Sequence, residues 1–510
     1  MALTRRHFLG RVAAAGGAPL VYEAMTGLGL LAVPAPTRFD LRGHVSGVRV
    51  LVLGAGLAGL TVAYELGKLG YRCQILEARP RAGGRAYTVR RDTVSEEDGP
   101  RQIAAFDEGL YFNAGAMRIA HHHRTTLAYC REFQVPVEPF NVNCDSAYVY
   151  QQNAGRLAGR RIRVREARTD LDGYVAELLS KAVSQAELDQ RLTRNDRENL
   201  IEYLRRAGAL DERDQYRGSP RRGDEVAGSP LALSDLLGSK VGLYLQTDFN
   251  YQPTMLQVVG GSDRLPAAFA ARLTDRITYR AAVREIRQTE RGVSVVYADQ
   301  NRRVQKAEAA YCVCALPLTV LARLQADLSP EFRRVVGSAT YASAGKMGLQ
   351  FKRRFWEEDD GIYGGTTRTD QEITQIVYPS SGFHGRKGIV IGYYLQGDTG
   401  RPMGERPPAE RQAMALEQGA RIHPQYRSEF ETAFSVAWHR VSWIRGSWMS
   451  FSADIRRELP TLRRPDGRVY LAGDHVSGMN AWMQGALESA RDVAAAIHAR
   501  ATQEVRTVGA

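Results

Sequence analysis

Residues 48–91 read VRVLVLGAGLAGLTVAYELGKLGYRCQILEARPRAGGRAYTVRR, and the fold is read outward from them. Residues 48–53 form a short apolar, β-branched run, the pattern of a strand buried in a parallel sheet. The run ends at Gly54, and Gly54, Gly56 and Gly59 stand at the G-x-G-x-x-G spacing, with Ala55 inside the turn. The first glycine allows a tight turn, the second lets the backbone approach a pyrophosphate, and the third lets helix and strand pack closely. A helix is expected next, its first amides aimed at the phosphates, because Ala63, Leu66 and Leu69 recur at helical spacing before Gly70 ends the pattern. A second strand, 72–76, ends at Glu77, about 20 residues past the glycines, where a carboxylate takes both hydroxyls of an adenosine ribose and repels a phosphorylated one. Ala78 and Arg79 continue this edge. Glycine-rich turns are common in large proteins, so the reading rests on strand, helix, second strand and acid occurring together.

The next residues narrow the cofactor. Arg81, Gly83, Gly84, Arg85 and Thr88 spell R-x-G-G-R-x-x-T, which resembles the motif that follows the ribose-binding acid in flavin amine oxidases. The resemblance implies FAD and a multi-domain α/β chain: a Rossmann-type FAD-binding domain of the glutathione-reductase-like type, a mixed-sheet substrate domain and a helical insertion. The expected parts are 45–90, 255–330 and 440–500 for FAD, 91–150 and 331–439 for substrate, and 151–254 for the helices.

Composition sets outer bounds. At 510 residues, 44% of them hydrophobic, the chain is long enough for two or three cores. Its formal charge of +13 suits an anionic partner or substrate. The Lys and Arg residues are scattered and no basic run is interleaved with aromatics, so nucleic acid is not expected. The cysteines, Cys73, Cys130, Cys144, Cys312 and Cys314, lack metal-like clustering, and free, mostly buried thiols without a metal are expected. Residues 1–36 carry Arg5-Arg6 ahead of a weakly apolar stretch and resemble a twin-arginine leader, which implies export of a folded protein to the periplasm or beyond; without a working leader the enzyme stays cytoplasmic. Pro19, Glu23 and several glycines break that stretch short of the roughly 20 apolar residues of a membrane span, so stable insertion is not expected.

Further along, residues 95–100, SEEDGP, read as a surface loop or hairpin tip. The stretch Asn113-Ala114-Gly115-Ala116-Met117-Arg118 then sharpens the resemblance toward L-amino-acid oxidases, which place an arginine after a G-x-M step. The resemblance implies that Arg118 grips the substrate carboxylate, for which a guanidinium offers a planar fork of donors. It also puts Gly115, Ala116 and Met117 beside the flavin. His121-His122-His123 reads as a solvated turn, since three adjacent residues cannot all face one ion within a regular element. Between 151 and 254, Leu171, Val175, Leu178 and Ala182, then Leu188, Leu192, Leu200 and Leu204, recur at helical spacing, with a loop over 211–230.

The second half repeats the resemblance. Two strands are expected over 283–296, with Val283 near the cofactor, and a third over 311–316, whose end should approach it as well. Lys346, in AGKMGLQF, matches a lysine that faces the flavin and holds a water beside the reactive ring nitrogen. Tyr378, in IVYP, matches a tyrosine that joins Arg118 on the carboxylate. Residues 469–475, VYLAGDH, read as a buried strand ending in Gly473 and Asp474, the second flavin contact. Residues 480–486, NAWMQGA, open a helix and are similar to the family's second flavin site; the resemblance implies that Ala481, Trp482 and Met483 meet the cofactor, with the helix N-terminus facing the reduced, anionic ring. It also implies that Trp482 walls the substrate space, and Ala481 stands where the family often has glycine, so its methyl is expected to narrow that space. Trp438 and Trp443 are candidates for an aromatic wall.

Together these resemblances imply an FAD-dependent L-amino-acid oxidase, a homodimer, that passes hydride to flavin and electrons to molecular oxygen. Its products are a 2-oxo acid, ammonia and hydrogen peroxide, with broad preference for large apolar or aromatic side chains. The sequence leaves open a mono- or polyamine oxidase, an amino-acid 2-monooxygenase, and a flavin-stabilised binding protein without turnover.

Overall fold

The computed structural model describes residues 39–184, 193–222, 229–245 and 251–508. The leader, and Leu188 and Leu192 of the helical pattern, lie outside the described residues.

The strand Arg49–Leu53 lies centrally in a five-stranded sheet whose order is Val469–Leu471, Tyr311–Cys314, Arg49–Leu53, Arg72–Glu77, Ile277–Tyr279. Every pairing in it is parallel. Three distant stretches of chain therefore share one sheet, and its strands are mostly apolar and buried along their carboxyl-terminal halves because both faces are covered. Val50, Val52, Ile75 and Val313 pack beneath helices Leu57–Lys68 and Met483–Val508. Leu51, Leu53, Cys312 and Cys314 face a second sheet, in which Val304–Ala309, Val293–Ala298 and Ala282–Gln288 run antiparallel and Gln325–Ala326 adds a short parallel edge. The two strands expected over 283–296 are thus the inner pair of that layer. All five cysteines are free, and only Cys144 is not fully buried.

A seven-stranded sheet forms the other half, in the order Phe430–Ala437, Gly345–Phe351, Gly388–Leu395, Gln375–Val377, Thr366–Thr369, Tyr148–Tyr150, Arg161–Arg163. Since Arg161–Arg163 still pairs with Tyr148–Tyr150, the helices begin at Val164 rather than at 151. The helix Val164–Ser184 exists, but its expected apolar stripe does not face inward. Val175 and Leu178 are 45% and 55% exposed, while Asp170 and Ser180 are fully buried. Asp170 turns inward because Tyr216 and Arg222 meet it there, and a paired carboxylate competes with leucine for a buried position.

The segment 95–100 forms a hairpin tip, with Ser95 N–H donating to Gln102 O at 3.0 Å and Asp98 exposed, while its two glutamates are held in ion pairs. Glu97 is buried against Arg411, at 2.8 Å and 3.0 Å, and Glu96 pairs with Arg79 and Arg81. The three histidines do form a turn, yet His123 is 1% exposed, its ring 4.8 Å from that of Trp482, and burial pushes its pKa down to about 3.

Candidate active site

Four strand ends of the parallel sheet open into one elongated cavity, as ligand sites in such sheets do. Its walls include Gly54 after the first strand, Glu77, Ala78 and Arg79 after the second, Ala315 to Pro317 after the third, and Gly473 and Asp474 after the last. The backbone of the glycine turn is fixed from two sides. Gly54 has φ +98°, a conformation L side chains rarely adopt, and a Cβ on Gly59 would sit 2.1 Å from Gly54 O. A Cβ on Gly56, by contrast, would meet nothing within 4 Å, because that residue faces the open cavity. Glu77 secures the same turn: it accepts from Ala55 N–H at 2.7 Å and from Arg79 N–H at 2.9 Å.

The second grip stands across from this turn. Arg85 forms an ion pair with Asp474, which also accepts from Ala481 N–H at 3.1 Å. Burial would raise the Asp474 carboxyl, but the Arg85 guanidinium beside it holds it below its ordinary range. His475, next in the wall, is neutral at pH 7 because burial pushes it down to about 4, and both its ring nitrogens are buried without a hydrogen-bond partner. Orphaned buried nitrogens, an open glycine cradle and an acid at the end of the second strand fit a dinucleotide of adenosine with a polar ring system.

Past the cradle the cavity is closed by Gly84, Gly115, Ala116, Val283, Lys346, Ala481, Trp482 and Met483, all expected, and by Trp438 and Trp443. Met483 is only 6% exposed and belongs to the helix core beneath. Ala481 has φ +67°, so it occupies the left-handed region where glycine is the ordinary choice. Lys346 Nζ donates to Gly115 O at 2.6 Å and Asn113 O at 3.0 Å, lies 3.3 Å from Met117 Sδ, and is 4.4 Å from the centre of the Tyr394 ring. Burial, then the charge of Arg118, holds its pKa well below the ordinary lysine value.

Ala55, Gly59, Met117, Arg118 and Tyr378 do not line this cavity. Ala55 and Gly59 act through backbone, Met117 contacts Lys346, and Arg118 stands just beyond Lys346 and Tyr394, 9% exposed, rather than at the cofactor. Its guanidinium lies over the rings of Tyr251 at 4.8 Å and Phe140 at 5.8 Å and stands near the Tyr394 side chain. Tyr378 is a misassignment. Its hydroxyl is buried on the other face of the seven-stranded sheet, 2.8 Å from Thr367 Oγ1 and 2.6 Å from His423 Nε2, whose Nδ1 meets Asp360 at 2.9 Å. The tyrosine on the Arg118 side is Tyr394, brought opposite Lys346 by strand register.

The sequence model of flavin containing amine oxidoreductases matches residues 57–498. The chain belongs to this family. It is 29% identical over 469 residues to the putative L-amino-acid oxidase YobN of Bacillus subtilis (strain 168), covering 87% of this chain and 93% of that one. It is 26% identical to the L-amino-acid oxidase BmooLAAO-I of Bothrops moojeni, covering 87% and 89%. Among solved structures, a triple mutant of putrescine oxidase superposes with a TM-score of 0.62 at 18% identity, covering 89% of this chain and 99% of that one. Cyclohexylamine oxidase from Brevibacterium oxydans IH-35A gives 0.61 at 16%, covering 90% and 99%.

The protein is therefore a flavin amine oxidase in fold and family, and its cofactor is FAD. Sequence reasoning missed Tyr394, Tyr251, Trp448 and His475 in or beside its site. Only His475 carried a local signal, by standing next to Asp474; the others needed the pairing of distant strands.

Proposed function

We propose that this flavin amine oxidase oxidises L-amino acids, giving a 2-oxo acid, ammonia and hydrogen peroxide. The observation that carries the reading is Arg118, a nearly buried guanidinium beside Tyr394 that makes no ion pair with any carboxylate among the described residues. An uncompensated buried cation is costly, and a substrate α-carboxylate supplies the missing charge. The L-amino-acid oxidase names of the relatives support the same reading.

Bound FAD supplies the two-electron acceptor. Arg118 takes the carboxylate bidentately and Tyr394, kept protonated because burial pushes it up to about 12, donates a further hydrogen bond. With the carboxylate fixed, the α-hydrogen and amine are turned toward the wall formed by Lys346 and Ala481. Burial and the charge of Arg118 favour the uncharged amine of Lys346, which donates to Gly115 O and Asn113 O and in that form keeps a lone pair to accept from a water. Trp482, with Tyr251 at 5.6 Å between ring centres, and Trp438, held by Nε1 donating to Ala114 O at 3.1 Å, exclude bulk water. The aromatic pair also supports the expected acceptance of large apolar or aromatic side chains. Export through the twin-arginine route is part of the proposal, to be checked by fractionating a variant with Arg5 and Arg6 both changed to lysine.

The deciding experiment compares L-phenylalanine with phenethylamine. Arg118→Ala should lower kcat/KM for the amino acid by about 2 to 5 kcal/mol of transition-state stabilisation, at least tenfold, with little effect on the amine and none on FAD content. Equal proportional loss on both substrates, or anaerobic bleaching by the amine but by no amino acid, overturns the reading. Product analysis separates oxo acid from the amide of a monooxygenase.

A further inference from the structure

Arg118 is not the only guanidinium near Tyr251 that lacks a carboxylate partner among the described residues. Arg368 lies on strand Thr366–Thr369, whose neighbour Thr367 turns its hydroxyl to Tyr378 on the far face of the sheet. Successive strand residues alternate, so Arg368 projects from the near face. The register says the same. Arg368 pairs with Gln375, two residues before Val377, and Val377 pairs with Ile391. On the neighbouring strands Lys346 pairs with Tyr394 and Val436. Val377, Ile391 and Val436 all belong to the apolar cluster that includes Met117 and Trp438 and packs against Tyr394 and Trp482. Arg368 thus shares a face with the catalytic lysine.

This side chain is partly buried, and among the described residues no acid is paired with it. The groups that act on its charge are Arg118, Tyr251 and Tyr244, and burial together with the like charge of Arg118 pulls its pKa below the ordinary arginine value. Among the described residues no carboxylate forms an ion pair with Arg368 or Arg118, although thirty-odd such pairs elsewhere engage most of the chain's partly buried arginines, Arg79, Arg222, Arg354 and Arg411 among them. Two neighbouring guanidiniums without a counter-ion repel each other and are held together only by the fold, a cost that a ligand with two anionic groups removes. Tyr251, over which Arg118 lies, stands 5.6 Å from Trp482, which walls the cavity.

We infer that the preferred substrate is an acidic L-amino acid, its α-carboxylate on Arg118 and its side-chain carboxylate on Arg368. The inference rests on the amino-acid oxidase reading and narrows it, replacing apolar by anionic side chains as the best substrates. The chemistry is unchanged. Two electrons and two protons leave the Cα–N unit and reduce oxygen to hydrogen peroxide, and water hydrolyses the resulting imine to a 2-oxo diacid and ammonia. A net charge of +13 assists the approach of such dianionic substrates.

The test measures kcat/KM by peroxide release for L-glutamate, L-glutamine, L-aspartate, L-asparagine and L-leucine on the FAD-loaded enzyme and on Arg368→Gln and Arg368→Lys. Wild type should favour at least one acid over its own amide by tenfold or more. Arg368→Gln should lower that acid-to-amide ratio at least tenfold, and Arg368→Lys should restore part of it. As a readout independent of turnover, glutarate should perturb the flavin absorbance of wild type and do so at several-fold higher concentration in Arg368→Gln. Turnover of L-leucine together with an acid-to-amide ratio near one overturns the inference and leaves amino-acid oxidation standing, as does a ratio that Arg368→Gln does not move. Bleaching by amines and by no amino acid overturns both. Retained FAD content in the variants excludes misfolding as the cause.

Discussion

Glu77 and Tyr394 line the same cavity and owe their places to different kinds of chain geometry. Glu77 follows the glycine turn by a single strand–helix–strand unit, so its carboxylate is delivered to the turn by residues contiguous with it, and it closes on Ala55 N–H of that same unit. Tyr394 reaches Lys346 because Gly345–Phe351 and Gly388–Leu395 pair in one particular antiparallel register, with a shift between Met347 and Gly348. A change of one residue in that register would exchange Tyr394 for Tyr393, which packs in the core on the far face. The glycine turn with its acid is thus a local construction, whereas the Lys346–Tyr394 wall is a product of sheet pairing. Substitutions at the first should act on FAD and at the second on kinetics.

The largest effect is expected at the local end. Glu77→Ala removes charge-assisted hydrogen bonds to the ribose and frees the Ala55 amide. At roughly 1.5 kcal/mol or more for each of two bonds, FAD affinity should fall about a hundredfold or more, read by titrating apoprotein with FAD. Retention of wild-type affinity would remove Glu77 from the ribose and break the contrast between the two ends.

An intermediate effect sharpens the contrast at the other end, using the two tyrosines. Tyr394→Phe should lower kcat/KM for an L-amino acid roughly tenfold, the loss of about 1.5 kcal/mol from one hydrogen bond to a charged group, at unchanged FAD content. Tyr378→Phe should leave kcat/KM within about twofold. It instead strips a partner from His423 and Thr367, and should cost about 1 to 3 kcal/mol of stability in a urea titration. The reverse pattern would return the carboxylate role to Tyr378.

The smallest effect concerns Ala481, where the two ends meet. Glycine there relieves left-handed strain of about 1 kcal/mol, largely offset by its greater freedom in the unfolded chain, so thermal stability should change by less than about 1 kcal/mol. The removed methyl should shift relative kcat/KM for bulky against small substrates by no more than about threefold. A tenfold shift would show that the methyl itself sets the size of the substrate space.

Legibility along the sequence followed the same division. The motif at Gly54, Gly56, Gly59 and Glu77 and the helix opening at Met483 were readable because each is set by backbone or by neighbours within one local unit; Arg85 and Asp474 were readable singly from their own motifs, but their pairing across 389 residues was not. The 95–100 hairpin tip was readable from its composition, but the partners of its acids, Arg79 and Arg81 for Glu96 and Arg411 for Glu97, were not. The helix Val164–Ser184 was recognisable from its period, but the identity of its buried face was not, since Asp170 is admitted to the interior by Tyr216 and Arg222.

By itself the sequence determined the nucleotide-binding unit, the cofactor and the order in which chain segments return to it, because turn chemistry and strand hydrophobicity are local properties. Only the tertiary structure decided which tyrosine accompanies Arg118, that His123 is buried against Trp482, and that Arg368 shares a face with Lys346. Those facts depend on register and on which face of a strand meets which neighbour, and a period of two residues gives the alternation but not its phase.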